Sequence, residues 1–291
     1  MSIPAAQTSV LDDFSVFPKE DIFEVALEWI DLVVEEMPPG MSTSNIQSVL
    51  EDMLALFGGQ FEGYHACDTG YHDLSHTLLL IPSFCKLALG LSEKYPGSIN
   101  PHQVELGVIA VLLHDTGYLR EKSDKSGTGG KYTFRHIDRS VDFGKRYLLS
   151  LGYGPGDLDC VEQMIRCTGV NVDPAELVYS TAGCRLLGYA LGTADLLAQM
   201  ADPEYDEKLC YLYNEFKEAY DFEGQENLKE MNVMQFKSLE DLIDKTPGFF
   251  EHVVMVRFKA MDSAYQLLDD PKTGVNPYME KIKENIAKIM K

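Results

Sequence analysis

The sequence predicts an all-α fold, and three observations support that prediction. Apolar residues recur with the period of an amphipathic helix along most of the 291-residue chain. No stretch of useful length alternates between apolar and polar residues, as a half-buried strand does. Helical segments also follow one another without a clear linker, so we expect one domain over residues 1–291.

Each predicted helix has a periodic apolar face, and most are bounded by glycine or proline. The predicted helices span residues 20–36, 44–57, 71–91, 101–114, 134–151, 158–167, 186–200, 207–219, 238–245, 247–268 and 277–290. The polar, glycine-bearing segment 121–133 is predicted to be a loop. It is either an ordinary surface loop or a lid beside a binding site.

The charge of the chain restricts its partners. The formal net charge is −21 and the pI is near 4.6, so most of the surface repels the phosphates of nucleic acids and of anionic lipids. We therefore expect no nucleic-acid polymer and no membrane surface as a partner. Bound divalent cations can reverse the field inside a site, so a small phosphate substrate remains compatible with this charge.

Several features predict a cytoplasmic protein. The first residues, 1–8, lack the basic and apolar regions of a secretory signal, and no apolar run approaches the length that spans a bilayer. The cysteines are scattered without a C-x-x-C pair, and they are predicted to be free thiols in a reducing compartment. They are Cys67, Cys85, Cys160, Cys167, Cys184 and Cys210.

An apolar run over residues 108–113 ends abruptly in His114 and Asp115. Burying an imidazole and a carboxylate without partners costs several kcal/mol, so both need a metal or hydrogen bonds. Gly117 is typical of a helix end, where two adjacent side chains can approach one ion. A helix cap that bonds to backbone and solvent is the alternative.

Two other positions show similar anomalies. His72 and His76 lie four residues apart, so on a helix they share one face, although a solvated structural role is an alternative. Asp195 interrupts the apolar helix 186–200, and a buried carboxylate needs a cation or several donors.

These positions together predict one metal site with two imidazoles and two carboxylates. Such ligands suit a divalent ion of the Mn, Fe, Co, Ni or Zn kind and leave positions open for water, as in a catalytic site. The predicted ligands are His76, His114, Asp115 and Asp195.

This order of residues resembles the HD-domain superfamily of metal-dependent phosphohydrolases. The stretch Tyr71-His72-Asp73-Leu74-Ser75-His76 is similar to the Tyr-His-Asn-x-x-His signature of cyclic-nucleotide phosphodiesterases and bacterial HD proteins. The resemblance covers about residues 60–200. It implies an HD core there, a single helical bundle on which additional helices from residues 1–59 and 201–291 pack.

The resemblance also implies roles for individual residues. The four predicted ligands would hold a first divalent ion, with Mg added to the metals above, and Asp115 could bridge to a second. His72 would protonate the leaving oxygen, and His136 would contact a second metal or the phosphate. His72 and Asp115 are therefore the predicted catalytic residues.

The sequence departs from the family pattern at two places. Asp73 stands where the phosphodiesterases have asparagine, and Cys167-Thr168 stands near where two-metal relatives place another histidine. The glutamine and aromatic clamp that hold a purine have no assigned counterparts, so specificity for cyclic nucleotides does not follow.

The predicted function is hydrolysis of a phosphate monoester or diester in a nucleotide or another small phosphorylated metabolite. The candidates for gripping phosphate oxygens, each with a solvated surface charge as the alternative, are Arg139, Arg166, Lys125 and Lys131. The alternative functions are a metal-holding sensor that binds a nucleotide without cleaving it and oxidative cleavage at a di-iron centre. The C-terminal helices either form a homodimer face or cover the core.

Overall fold

The computed structural model describes residues 22–37, 41 and 43–291. Within these residues there is no β-strand, only an isolated antiparallel bridge between Tyr64 and Glu121. The prediction of an all-α fold is confirmed. The expectations for residues 1–8, and for residues 20–21 at the start of the first predicted helix, concern positions outside the described residues.

Most predicted helices occur within a few residues of their expected ends. They are α1 Ile22–Glu36, α2 Thr43–Phe57, α3 Leu74–Lys94, α4 Pro101–Leu113, α5 His136–Ser150, α6 Pro155–Arg166, α7 Ala182–Ala201, α8 Tyr205–Glu230, α9 Leu239–Phe249, α10 Met255–Ala260 and α11 Pro277–Ile289. Short 3₁₀ helices form at Thr116–Tyr118, Gly129–Tyr132 and Ala264–Leu268. The predicted continuous helix 247–268 is wrong, because a π-helical turn and a break after Ala260 divide it.

Helices α4 and α7 form the centre of the bundle. Every residue of α4 from Gln103 to Leu113 is buried, which is the pattern of a helix surrounded by others. Asn100 and Gln103 form a capping box at its start, with Pro101 in the first turn. Helices α3, α4 and α6 all pack against α7. The end of α4 therefore lies in the protein interior.

Helix α3 is long and apolar enough to cross a membrane by length and composition alone. The expectation that no apolar run approaches that length is wrong for this helix. However, 61% of its apolar window is buried inside the protein, where α3 packs against α1, α4 and α7. Its burial is that of a core helix.

A disulfide joins Cys160 of α6 to Cys184 of α7. The prediction that every cysteine is a free thiol is wrong for this pair, and the other four cysteines are free. Sequence spacing did not indicate the pair because it forms only when α6 and α7 pack side by side. The cysteines therefore no longer argue for a reducing compartment.

The disulfide gives a testable count of thiols. Without a reductant, the denatured protein is expected to react with a thiol reagent at four cysteines, and after reduction at all six. Replacing Cys160 and Cys184 with alanine should lower the free energy of unfolding by roughly 3 kcal/mol, because a loop closed over 24 residues is released. Six reactive thiols before reduction would contradict the bridge.

Candidate metal centre

Four buried side chains converge where α3, α7 and the end of α4 meet. They are His76, His114, Asp115 and Asp195. Ligand atoms of the two histidines and Asp195 all lie within 4.8 Å of one another. Oδ2 of Asp115 lies 3.6 Å from Nε2 of His76 and 3.2 Å from Nε2 of His114. The fold thus brings the predicted ligand set to one point.

The end of α4 places two of these side chains. His114 is the C-terminal cap of α4, and Asp115 begins the 3₁₀ turn at Thr116–Tyr118. Gly117 follows the helix end, as predicted, and it is needed there because of a close backbone approach. A Cβ on Gly117 would lie 1.9 Å from the carbonyl oxygen of His136, so only glycine lets α5 approach this turn.

The orientation of His114 favours a metal ligand over a simple helix cap. Its Nδ1 lies 2.8 Å from the carbonyl oxygen of Val111, which directs the Nδ1 proton there, so the lone pair of the neutral ring is on Nε2. Nε2 of His114 and Oδ2 of Asp115 are both buried without a hydrogen-bond partner. Unpaired buried polar atoms are costly, and one cation between these two would satisfy both.

The charges in the cluster depend on one another. Burial disfavours a charged His114, but the carboxylate of Asp115 outweighs burial and raises the pKa of His114 to about 9. Burial likewise opposes ionisation of Asp115, yet His114, His72 and His76 hold its pKa well below the usual range. A divalent ion would supply the positive charge that a proton provides otherwise.

Neighbouring groups hold the other two ligands in place. Asp195 Oδ1 accepts a hydrogen bond from the Gln199 amide at 2.9 Å and lies 3.1 Å from Nε2 of His76. Asp73 caps α3 by accepting a hydrogen bond from the His76 backbone N–H. Aspartate and asparagine cap helices about equally well, so Asp73 preserves the local structure that asparagine would give.

His72 lies before α3 rather than on it, so the expected shared helical face is wrong. Its ring is nevertheless 6.0 Å from that of His76. Nδ1 of His72 lies 2.6 Å from Oε2 of the buried Glu215 on α8. Burial disfavours the imidazolium, but the Glu215 carboxylate outweighs burial and raises the pKa of His72.

Glu215 is a residue of the candidate site that the sequence did not predict. Its other oxygen, Oε1, accepts the Tyr71 backbone N–H at 2.8 Å, which fixes the carboxylate beside His72. The available signal was weak, because carboxylates are frequent along α8 and no motif marks this one. Its burial depends on the packing of α8 against the Gly129–Tyr132 turn.

His136 reaches the same cluster from the start of α5. Its Nδ1 lies 2.7 Å from the Thr133 carbonyl oxygen, and its Nε2 lies 3.9 Å from Oδ1 of Asp115. Burial lowers the pKa of His136, which favours the neutral form that ligates metals. At the position of the missing histidine, burial raises the pKa of the Cys167 thiol to about 11, so no thiolate is offered there.

Three of the four predicted phosphate-gripping cations already have protein partners. Arg139 donates to the carbonyl oxygens of Gly117 and Leu119. Arg166 is paired with two carboxylates on α5 and α6, and Lys131 with Asp124. Lys125 lies exposed in the preceding loop. A phosphate would have to compete with these partners for the first three cations.

No protein-family model matches the chain, and no curated protein matches it either. What the residues themselves establish is an all-α protein with a buried His-His-Asp cluster that can hold a metal ion.

Metal binding can be tested on one histidine against a matched control. Adding Mn²⁺ or Ni²⁺ to the metal-free protein is expected to stabilise it, by about 2.7 kcal/mol at a hundredfold excess over Kd. His114→Ala should abolish both this stabilisation and the metal found by elemental analysis. His252→Ala, which removes an exposed histidine, should change neither. Equal metal binding by the two variants would contradict the site.

Proposed function

We propose that the protein is a metal-dependent phosphohydrolase of the HD superfamily, acting on a small phosphorylated metabolite such as a nucleotide. The proposal is supported first by the ligand cluster, whose two imidazoles and two carboxylates suit a divalent ion with positions left open. The second support is the order of these residues along the chain, His…His-Asp…Asp, which resembles that of the HD-domain superfamily.

The observation that carries the proposal is the buried pair of His72 and Glu215 beside the cluster. The short contact between Nδ1 and Oε2 makes a proton on Nδ1 nearly permanent, so Nε2 is the nitrogen that exchanges a proton. A site that only held a metal would need no such acid. A hydrolase needs one, because the leaving oxygen must be protonated as its bond to phosphorus breaks.

The residues divide the reaction between them. A divalent ion held at the cluster would supply a nucleophile from water near neutral pH and would offset the charge of the phosphoryl group. His76, His114, Asp115 and Asp195 would hold that ion. His72 donates the Nε2 proton to the leaving oxygen, and Glu215 stabilises the imidazolium before the transfer. His136 faces the other oxygen of Asp115, where it would hold a second ion or a phosphate oxygen.

Charge limits the class of substrate. The net charge of −21 disfavours a polyanion, so we propose a small monoester or diester and no nucleic-acid polymer. The partners of Arg139, Arg166 and Lys131 leave most of the phosphate charge to the metal. A cytoplasmic location and a homodimer stay predictions.

Activity is tested on a panel of phosphomonoesters, phosphodiesters and nucleotides, with Mn²⁺, Co²⁺, Ni²⁺ or Mg²⁺ added. The wild-type protein is expected to turn over at least one class. His114→Ala should lose metal and turnover together. His72→Gln should keep its metal but lose about 10²–10⁴-fold in kcat, the usual contribution of a general acid.

The same experiment separates the alternatives. His252→Gln is the matched control for His72→Gln and should retain full activity. If the metal-loaded protein turns over nothing on the whole panel, the hydrolase proposal is wrong. A nucleotide complex recovered intact in the presence of metal would establish the sensor instead. Iron content with oxygen consumption would point to the di-iron reaction.

A further inference from the structure

Tyr118 occupies a position that the roles above do not explain. It lies in the turn after the His114-Asp115 pair, and its side chain is fully buried. Its ring stacks on His72, with centroids 4.4 Å apart and planes 11° apart. It also stacks on His136, at 4.6 Å and 20°. One aromatic side chain therefore contacts His72 and His136, the two histidines beside the cluster that are not in the predicted ligand set of the first metal.

The hydroxyl of Tyr118 faces the nitrogen that exchanges the proton. Its oxygen lies 3.5 Å from Nε2 of His72, at the long end of the range for a hydrogen bond, so a substrate oxygen can displace it. Nδ1 of His72 is taken by Glu215, so Tyr118 is the protein group that serves the other nitrogen. Burial and the surrounding carboxylates raise the pKa of Tyr118 well above its usual value, so the hydroxyl keeps its proton.

The hydroxyl of Tyr118 can either donate or accept a hydrogen bond at Nε2 of His72. When His72 is neutral, Tyr118 can donate to Nε2. When His72 is protonated, the Tyr118 oxygen can accept from Nε2–H.

We propose that Tyr118 is a positioning residue for His72. The ring fixes the plane of the imidazole. The hydroxyl is the hydrogen-bond partner of Nε2 until the leaving oxygen of a substrate replaces it. After the P–O bond breaks, the Nε2 proton has moved to the leaving oxygen, and the Tyr118 proton turns back to the neutral Nε2. The kinetic part of this inference rests on the proposed hydrolase, whereas the contact with Nε2 does not.

The kinetic test compares two esters that differ only in the leaving group, 4-nitrophenyl and phenyl phosphate or the corresponding diesters. Tyr118→Phe keeps the ring and removes the hydroxyl. We expect kcat to fall roughly 10-fold for the phenyl ester, part of what a complete general acid supplies, and much less for the 4-nitrophenyl ester, which needs less protonation. KM should change little.

Tyr147→Phe is the matched control, because it removes another buried hydroxyl, one that bonds to Asp52 on α2. It should leave both esters unaffected. An equal loss on both esters in Tyr118→Phe, or none, would overturn the inference.

A spectroscopic test does not depend on turnover. In metal-free protein with ¹⁵N-labelled histidine, the His72 signals are identified by their absence in His72→Gln. Tyr118→Phe is expected to shift the Nε2 resonance of His72 and leave that of Nδ1, which Glu215 still holds. An unmoved Nε2 resonance overturns the positioning role, even if kcat falls. If the wild-type protein hydrolyses none of the esters, the proposed hydrolase function is wrong. The shift of the Nε2 resonance then tests the contact between Tyr118 and His72 by itself.

Discussion

The burial of two carboxylates at one point is the constraint on which the structure depends. Asp115 and Asp195 are both almost inaccessible to solvent, and unpaired carboxylates there would each cost several kcal/mol. Two imidazoles, from His76 on α3 and His114 at the end of α4, are the compensating groups. Helices α3, α4 and α7 must therefore meet at this point, and the apolar run before His114 is what brings a helix end so deep.

The site has two sides with different chemistry. On one side, unpaired ligand atoms of His114 and Asp115 favour a cation. On the other, Glu215 favours a proton on His72. The two sides are contributed by separate parts of the chain, because Glu215 comes from α8, whereas the other site residues all precede that helix. The C-terminal helices are thus part of the site as well as a cover for the core.

The sequence predicted the fold class and the ligand cluster because those residues are anomalies against an apolar background. His114, Asp115 and Asp195 stand out in helices that packing alone would keep apolar. Other features depend on tertiary contacts that no local pattern records. Glu215 is one carboxylate among many on α8, and the Cys160–Cys184 bridge needs two helices side by side. Gly117 is required because α5 approaches the turn at Thr116–Tyr118 too closely for a Cβ at that position.

In the proposed hydrolase, the arrangement of charge would make phosphate binding depend on metal binding. The protein carries a net charge of −21, and Arg139, Arg166 and Lys131 are each held by groups of the protein itself. A phosphoryl group placed at the cluster would lie beside the carboxylates of Asp115 and Asp195. Coulomb repulsion between them is large in a buried site of low dielectric. An anionic substrate of the proposed hydrolase would therefore be accommodated only if the same carboxylates were already neutralised, so its affinity would depend on the affinity for the cation.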